Sequence, residues 1–316
     1  MSTPCPTLPA LLGRPLVAMA ADLAGTGPPC PLPWWANLLR VLDGGEVAQR
    51  DLRARSRLSR RALAPMVEAG TRRDWLAVTG APRAKVVALT PAGRAVAGAW
   101  RPRPAAVEDA WRADLGAARV DRLRASLVAL VGRLPLALPH HPATYGSVDG
   151  TIRGAFGPDA RGQDWSPVAR AGAGEDVAAL PLHALLAQAV VAFALDYEVA
   201  VPVAFLVAES VLRHVADGGT PWAALSGGGR LPHACRYALG RFLLGTIEQE
   251  PGRRTEVVHL TARGRAARDA HPAVVARITA AWRTDYGADV VAEVEDAATA
   301  LVSDLPPDLA DLPTDM

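Results

Sequence analysis

The sequence predicts a mainly helical protein with two small β-hairpins, in which two copies of one unit pair as a pseudo-two-fold dimer within a single chain. Three observations lead to this prediction. The sequence repeats itself, apolar residues recur at helical spacing in both copies, and each copy contains one pair of short strand-like segments. At 316 residues the chain is long enough for two domains of ordinary size.

The repeat is the strongest of these signals. Residues 86–131 align with residues 257–302 without a gap, at an offset of 171 positions. The patterns V-V-x-L-T-x-x-G-R-A and A-W-R-x-D-x-G-A occur in both stretches. The start of the chain repeats at an offset of 174, and the Asp-Gly-Gly at 43–45 recurs at 217–219. The offset must therefore change between residues 45 and 86.

Two tryptophans, Trp111 and Trp282, match in this ungapped alignment, which is hard to attribute to a shared abundance of alanine. The repeat divides the chain into unit 1 (residues 1–133), a Pro/Gly-rich connector (134–178) and unit 2 (179–316), which ends in an acidic tail. We expect both tryptophans at the interface between the units, because aromatic side chains dominate such burial.

Each unit is expected to begin with two helices. The first is apolar, and the second ends at Asp-Gly-Gly, which is a helix stop signal. Two short helices and a hairpin follow, and a long C-terminal helix begins at the pattern L-T-x-x-G-R, with Thr90 or Thr261 as its N-cap. The predicted ranges of the first two helices are 8–24 and 33–43 in unit 1, and 181–197 and 203–217 in unit 2.

Residues 177–195 contain no charged side chain and have the length of a membrane span. Pro181, His183 and Gln188 interrupt this run, and Asp196 follows it directly. We therefore interpret the segment as a buried packing helix and expect no membrane partner. The N-terminus shows no pattern of a signal peptide.

The segment after Asp-Gly-Gly in unit 1 is predicted to be a helix–turn–helix. Residues 47–53 form the first helix, residues 55–57 the turn and residues 58–69 the recognition helix. Apolar residues at helical spacing give the recognition helix a buried stripe, which leaves Arg60 and Arg61 at its exposed N-terminal end. That end enters the major groove in this motif, where arginine pairs with guanine.

Residues 75–78 and 85–89 have strand character, and the turn-like residues 79–84 join them. A β-hairpin with Arg83 near its tip is a wing, and a wing arginine can reach the adjacent minor groove. Arg254 of unit 2 aligns with Arg83. The chain is therefore predicted to be a tandem winged helix-turn-helix protein.

Charge is unevenly distributed between the units. Residues 50–103 hold 13 basic and 3 acidic residues, although the net charge of the chain is only +2. A basic segment in a neutral protein is typical of a nucleic-acid footprint, and a solvated arginine-rich face is the alternative. Residues 213–268 of unit 2 hold 9 basic and 4 acidic residues, and three consecutive glycines at 227–229 are unfavourable for a helix. We expect unit 1 to read DNA more strongly.

The predicted DNA contacts are basic or hydroxyl side chains of the helix–turn–helix and wing in both units. Taken singly, each arginine could instead be an ordinary surface charge. The predicted contacts are Arg57, Ser59, Arg60, Arg61, Arg83, Lys85, Arg230, Arg236, Arg253 and Arg254.

The wing and the residues after it resemble the MarR-type winged-helix regulators. The resemblance lies in R-x-K-x-V-x-L-T-x-x-G-R at residues 83–94 and in the order of elements, and it covers most of both units. Two features depart from the family pattern. Ala81 and Gly252 replace the usual aspartate two positions before the wing arginine, and the connector has no counterpart in a single-unit member.

MarR-type proteins are dimers whose N- and C-terminal helices form the interface, so the resemblance implies a covalently fused pseudo-dimer that acts as a monomer. Such proteins often bind small phenolic or drug-like molecules between the dimer helices and the DNA-binding lobe. Trp34 and Trp35 are the candidates to line such a cleft, and packing in the core is the alternative reading of both.

No catalytic, cofactor or metal motif stands out. His140-His141 has no second histidine pair at ligand spacing, and the connector glycines follow neither a dinucleotide fingerprint nor a P-loop. Cys5, Cys30 and Cys235 are few and far apart, which argues against disulfides and zinc and fits a reducing cytoplasm. A redox role for one of them stays open.

The sequence therefore predicts a cytoplasmic, sequence-specific, double-stranded-DNA-binding transcriptional regulator that responds to a small ligand and is not an enzyme. Two alternatives stay open. One is a ligand-sequestering protein whose DNA binding has decayed, and the other is an enzyme similar to winged-helix DNA glycosylases. The operator, the ligand, the direction of regulation and base reading by unit 2 do not follow from the sequence.

Overall fold

Helices and two small antiparallel sheets make up the computed structural model of the chain. It describes residues 6–25, 32–58, 60–142, 174–201, 203–225, 235–236, 239–240, 243–249, 255–306, 309 and 312, without the side chains of 32–34 and 60–62. The described chain is mainly helical with small β elements, as the sequence predicts.

Unit 1 begins with two helices, continues through a short strand, two more helices and a hairpin, and ends in a series of helices. Its elements are α1 (Leu8–Ala24), α2 (Leu32–Asp43), β1 (Val47–Ala48), α3 (Leu52–Ser56), α4 (Arg60–Arg72), β2 (Leu76–Thr79), β3 (Val86–Leu89), α5 (Pro91–Trp100), α6 (Arg103–Trp111), a π-helical turn (Arg112–Gly116) and α7 (Ala117–Arg133).

A 3₁₀ turn at Val177–Ala179 closes the connector, and unit 2 then follows the same order of elements. They are α8 (Leu182–Ala200), α9 (Phe205–Ser210), a 3₁₀ turn (Leu212–His214), β4 (Thr220–Pro221), α10 (Trp222–Leu225), β5 (Gly245–Gln249), β6 (Glu256–Leu260), α11 (Ala262–Tyr286) and α12 (Ala288–Val302). Cys235, Arg236, Leu239 and Gly240 are also helical.

The sheets of the two units have the same topology. Strand order is β1-β3-β2 in unit 1 and β4-β6-β5 in unit 2, with antiparallel pairing throughout. In each sheet the second hairpin strand lies in the centre, because the short strand before the helices pairs with its other edge. The predicted hairpins therefore exist, and each gains a third strand that the sequence did not indicate.

Strand register locates the change of offset. Val47 and Thr220 pair with matched positions of the central strands and lie 173 residues apart. Leu76 and Gly245 also pair with matched positions but lie 169 apart, whereas the central strands keep the offset of 171. The segment between the first two strands is thus four residues shorter in unit 2, and its hairpin is two residues longer.

The helix after each hairpin begins with the same cap. The hydroxyl oxygens of Thr90 and Thr261 accept hydrogen bonds from the backbone N–H groups of Gly93 and Gly264, at 3.0 and 3.1 Å. A side chain at either glycine would collide with a carbonyl oxygen just before the hairpin, so only glycine fits. Both predicted N-caps are confirmed.

Four helices join the units in one continuous core. α1 packs along α8, and α7 packs along α12, so each helix meets its own counterpart in the repeat. The cross contacts are reciprocal, because α1 also packs on α12 and α7 on α8. Such reciprocal contacts are typical of an interface between two copies related by a two-fold axis.

The matched tryptophans bond to the first helix of their own unit. The indole N–H of Trp111 donates to Asp22 at 2.7 Å, and that of Trp282 donates to Asp196 at 2.7 Å. Both tryptophans are buried, and the two aspartates are also matched in the repeat. Each bond stays within its own unit and fixes the first helix of that unit against a later one.

Within the described part of the chain, α8 is the one helix long and apolar enough to cross a membrane by length and composition. Buried residues make up 83% of its most apolar stretch. This burial agrees with its interpretation as a packing helix, since α1, α7 and α11 all contact it.

The first helix of the predicted helix–turn–helix, residues 47–53, is placed too early. The observed helix α3 begins at Leu52. Gly45 adopts a φ of 119°, and Val47 then pairs with Val87 as part of β1 and is buried. A β-branched residue suits this strand position. The helix predicted at residues 58–69 is α4, Arg60–Arg72, which starts two residues later and ends three residues later than predicted.

The long C-terminal helix predicted after L-T-x-x-G-R is present in unit 2 as α11, which has 25 residues and begins directly after Thr261. In unit 1 it is divided, since α5 ends at Trp100 and α6 begins at Arg103. The last helix of each unit follows a further break. Gly116 and Gly287, matched in the repeat, have φ values of 93° and 99° at the equivalent break. This region of conformation favours glycine, so the sequence marks the break. The helix predicted at 203–217 ends at Ser210 and is followed by a 3₁₀ turn.

Arg122 of α7 and Glu293 of α12 form a bidentate ion pair across the core helices, at 2.6 and 2.9 Å. These positions are matched in the repeat at the offset of 171. In a pair of identical units the same position would face itself, with like charges opposed. Charge therefore favours pairing of unit 1 with unit 2 over pairing of two copies of either unit.

We expect Arg122→Glu to lower the melting temperature, because two carboxylates would then face each other. Adding Glu293→Arg restores opposite charges and should recover most of the loss. Thermal unfolding at low ionic strength measures this coupling, and added salt should shrink it. If the falls in melting temperature of the two single variants simply add in the double variant, the ion pair does not favour pairing of unit 1 with unit 2.

Candidate nucleic-acid interface

A basic cleft opens on unit 1 between α3, α4 and the hairpin. It has a volume of about 690 Å³, and none of the described residues that line it is acidic. Its floor contains apolar side chains such as Leu52 and Leu63. The four cationic residues of its lining are Arg50, Arg53, Arg83 and Lys85.

The hairpin turn presents two of these cations. Arg83 and Lys85 are exposed, and neither forms an ion pair with a described residue. The turn is closed by a hydrogen bond from the Ala84 N–H to the Ala81 carbonyl oxygen at 2.8 Å. A second bond ties the hairpin to the strand next to it, since the Gln49 N–H donates to the Lys85 carbonyl at 2.8 Å. The structure thus brings two predicted contacts together at one wall of the cleft.

The helix α4 forms the opposite wall and packs on the core as predicted. Met66, Leu63 and Ala69 are buried and form its apolar stripe. Arg60 and Arg61 lie in its first turn, but their side chains and Ser59 are outside the described residues. A helix N-terminus favours phosphate, because its first N–H groups have no partner within the helix.

Arg57 does not belong to this surface, and its prediction as a DNA contact is wrong. The residue is 5% exposed, and its guanidinium donates to the Leu138 carbonyl at 2.9 Å and to Glu175 at 2.8 Å. Burial alone would raise the pKa of the Glu175 carboxyl. The hydrogen bond from His140 and the Arg57 charge outweigh burial and hold that pKa far below its ordinary value.

Unit 2 differs at the matched surface. Arg236 forms a bidentate ion pair with Glu256, at 2.6 and 2.9 Å, and lies over the ring of Trp222. Glu256 is matched in the repeat with Lys85, so the turn end of the hairpin carries opposite charge in the two units. Arg230, Arg253 and Arg254 lie outside the described residues.

Trp35 is a core residue, so its prediction as a ligand contact is wrong. It is fully buried, and its ring meets Trp75 edge to face with 5.1 Å between centroids. The side chain of Trp34 is outside the description.

A second cavity of about 280 Å³ lies between α2, α5, the connector and the start of α8. Arg40, Trp100, His140 and His183 contribute to its lining. The sequence does not indicate this site, because its walls come from four separate segments. The His140-His141 pair is a local signal at this place, but the sequence pattern relates it only to metal binding.

Arg40 gives this cavity a cation that bonds to no carboxylate among the described residues. Its Nη2 donates to the Arg55 carbonyl oxygen at 2.8 Å, and its Nε is buried without a hydrogen-bond partner among the described residues. Burial lowers the pKa of Arg40 to about 10, and the nearby Arg57 charge contributes. Asp43 also lines the cavity and pairs with Arg101 at 2.6 Å, so the lining carries charges of both signs.

The matched region of unit 2 is occupied by its own side chains. Glu209 bonds to Arg213 at 2.6 Å and to His271 at 2.8 Å, and His271 also lies 3.0 Å from the Tyr197 hydroxyl. At the repeat positions of Glu209 and His271, unit 1 has Trp35 and Trp100. The two units thus share a scaffold but differ in what fills it.

Comparison with protein-family models, curated proteins and solved structures gave no match for this chain. Among the described residues, no group of three or more histidine, cysteine or acidic side chains is arranged to hold a metal ion. Cys235 is buried, which raises the pKa of its thiol to about 12 and disfavours the reactive thiolate. Cys5 and Cys30 lie outside the described part.

Burial keeps three histidines near the second cavity neutral. The pKa falls to about 4 for His140 and for His141, and to about 3 for His183. Below their ordinary pKa near 6.5, the unfolded chain takes up protons that the folded chain does not. The free energy of unfolding should therefore fall as the pH drops from 6.5 to 4, by about 1.4 kcal/mol per pH unit at most for each histidine.

Urea unfolding across this pH range measures the slope. His141→Phe should flatten it, because it removes one of the three buried groups whose pKa is lowered. His214→Phe, at an exposed position, is the matched loss of a histidine. A slope unchanged by His141→Phe would contradict the assignment.

Proposed function

We propose that this chain is a sequence-specific, double-stranded-DNA-binding transcriptional regulator, in which two winged helix-turn-helix units act as one intrachain pseudo-dimer. The observation that carries the proposal is the basic cleft of unit 1, where α4 and the hairpin flank a surface whose described lining holds four cationic and no acidic residues. Cations arranged beside the start of a helix suit a phosphate backbone and an adjacent groove.

The order of elements supports a winged helix-turn-helix. In each unit two helices, a short strand, a helical segment and an antiparallel hairpin follow one another, and a three-stranded sheet results. In unit 1 the turn between α3 and α4 falls at Arg57, where the backbone is left-handed with φ of 60°. In this motif α4 would enter the major groove, and Arg83 at the hairpin would contact the flanking backbone or minor groove.

Unit 1 is proposed as the main reader of DNA. The turn end of its hairpin carries the exposed Lys85, whereas unit 2 carries Glu256 at the matched position. Glu256 forms an ion pair with the Arg236 guanidinium, which is then less able to bind a DNA phosphate. A covalent pair of units is free of the symmetry that a homodimer imposes, so a lopsided operator follows.

Binding should be tested on a duplex from the region upstream of the protein's own coding sequence, by fluorescence anisotropy over a range of salt concentrations. Each phosphate contact contributes about 0.9 to the slope of log K against log salt. Arg83→Ala should weaken binding and reduce this slope by about that amount. Arg277→Ala removes an exposed arginine from α11 and is the matched control, and Arg236→Ala should have a smaller effect than Arg83→Ala.

The outcomes separate the rival functions. A ligand-sequestering protein would show no salt-dependent binding to any duplex. An enzyme similar to DNA glycosylases would release a base from damaged duplexes on incubation. Binding that Arg83→Ala and Arg277→Ala weaken equally would contradict the assignment of the cleft.

A small anionic ligand is proposed to modulate this binding from the second cavity, where Arg40 and Trp100 line the same wall. Benzoate is a suitable probe, because its carboxylate can pair with Arg40 while its ring packs on the indole. Benzoate should raise the melting temperature of the natural protein, since it binds the folded state. The shift should be lost in Arg40→Met, and an equal shift in both proteins would place the binding elsewhere.

A further inference from the structure

One carboxylate from the connector holds the turn of the helix–turn–helix. Glu175 accepts a hydrogen bond from Arg57 at 2.8 Å through one oxygen, and its other oxygen lies 2.9 Å from Nε2 of His140. The Arg57 and Glu175 side chains are only 6% and 10% exposed. A buried pair of this kind is strongly coupled, because the loss of one partner leaves the other charge without compensation.

Arg57 occupies the position that sets the direction of α4. It lies between α3 and α4, and its backbone has φ of 60° and ψ of 30°. Non-glycine residues keep such a conformation where the surrounding structure fixes it. Here the fixing contacts come through the guanidinium, which also donates to the Leu138 carbonyl at 2.9 Å.

Both ends of the connector are themselves anchored. The His140 N–H donates to the Asn37 side chain at 2.7 Å, and Asn37 donates in turn to the His141 carbonyl at 2.9 Å. These bonds join the start of the connector to α2. At its other end Glu175 accepts from Gln188 of α8 at 3.5 Å. The carboxylate that compensates Arg57 is thus held against the first helix of unit 2.

We propose that Glu175 is a positioning residue for DNA binding: through Arg57 it fixes the recognition helix α4 relative to the helices shared by the two units. This inference rests on the proposed function. Glu175 lies in the connector, outside the lining of the basic cleft, and acts only through the turn. The connector is therefore a part of the DNA-reading apparatus of unit 1, in addition to its role as a covalent link.

The same cluster borders the second cavity. His140 lines that cavity and bonds to Glu175, and Arg40 lines it and bonds to the Arg55 carbonyl in α3. Both contacts lead from the cavity to the helix–turn–helix. Occupation of the cavity would act on the same turn that Glu175 holds.

Glu175→Gln tests the proposal, with Asp176→Asn as the matched control. Asp176 is exposed and caps the neighbouring 3₁₀ turn, a role that asparagine also performs. Two properties are measured on the full chain: affinity for the upstream duplex across salt concentrations, and amide hydrogen exchange along the chain. Exchange reports the loosening of α4 whether or not DNA is present.

Glu175→Gln should accelerate exchange in α4 and leave α12 unchanged. If the fraction of molecules with α4 in the DNA-binding position drops to a tenth, the affinity for the duplex should fall about tenfold. The salt slope should stay the same, because no phosphate contact is removed. Asp176→Asn should change neither property.

Three results would overturn the proposal. They are exchange in α4 equal to that of Asp176→Asn, acceleration that extends equally to α12, and a reduced salt slope. If the natural protein binds no duplex, the proposed function fails, while the exchange data still decide whether Glu175 positions α4. Should Glu175→Gln not fold, Arg57→Gln with Glu175→Gln removes both charges of the buried pair together and carries the same comparison.

Discussion

The packing of each core helix against its own repeat counterpart is the constraint on which the other features depend. α1 lies on α8 and α7 on α12, and the buried faces of all four helices form one continuous core. Neither unit buries these faces without the other. This explains why α8 is apolar over most of its length, because other helices surround it as they would a central helix of a bundle.

Within that shared frame, matched positions have acquired different chemistry. Trp35 and Trp100 of unit 1 correspond to Glu209 and His271 of unit 2, where a buried polar network replaces aromatic packing. At the surface the exchange of Lys85 for Glu256 reverses the charge at the turn end of the hairpin. Two identical chains in a homodimer could not differ in this way. A fused pair can keep a basic cleft on one unit alone and can build a cavity from segments of both units.

Sequence patterns predict the elements whose signal is local. The repeat and its apolar periodicity predict α1 with its observed bounds, and the pattern L-T-x-x-G-R predicts both N-caps. The strand β1 is missed because two residues carry no periodicity of their own, and their pairing with β3 is a tertiary contact. Gly116 and Gly287 mark the breaks in the C-terminal helices, and their φ values show why glycine stands there.

The misassigned site residues have a common physical cause. Arg57 looks like a solvent-facing member of an arginine-rich run, but its carboxylate partner Glu175 is 118 residues away in the chain. Trp35 is likewise buried because it packs against Trp75 and the rest of the core. Local sequence predicts which residue types carry charge, whereas burial and pairing depend on contacts between distant segments.

The central claim is that one chain holds both halves of a DNA-binding pair. The mass of the complex on a single duplex, measured by native mass spectrometry at low salt, tests it most directly. We expect one chain of 33.1 kDa per duplex, because the units already satisfy each other's interface. Two chains on each occupied duplex, with no complex of one chain, would contradict the intrachain pairing as the DNA-binding form.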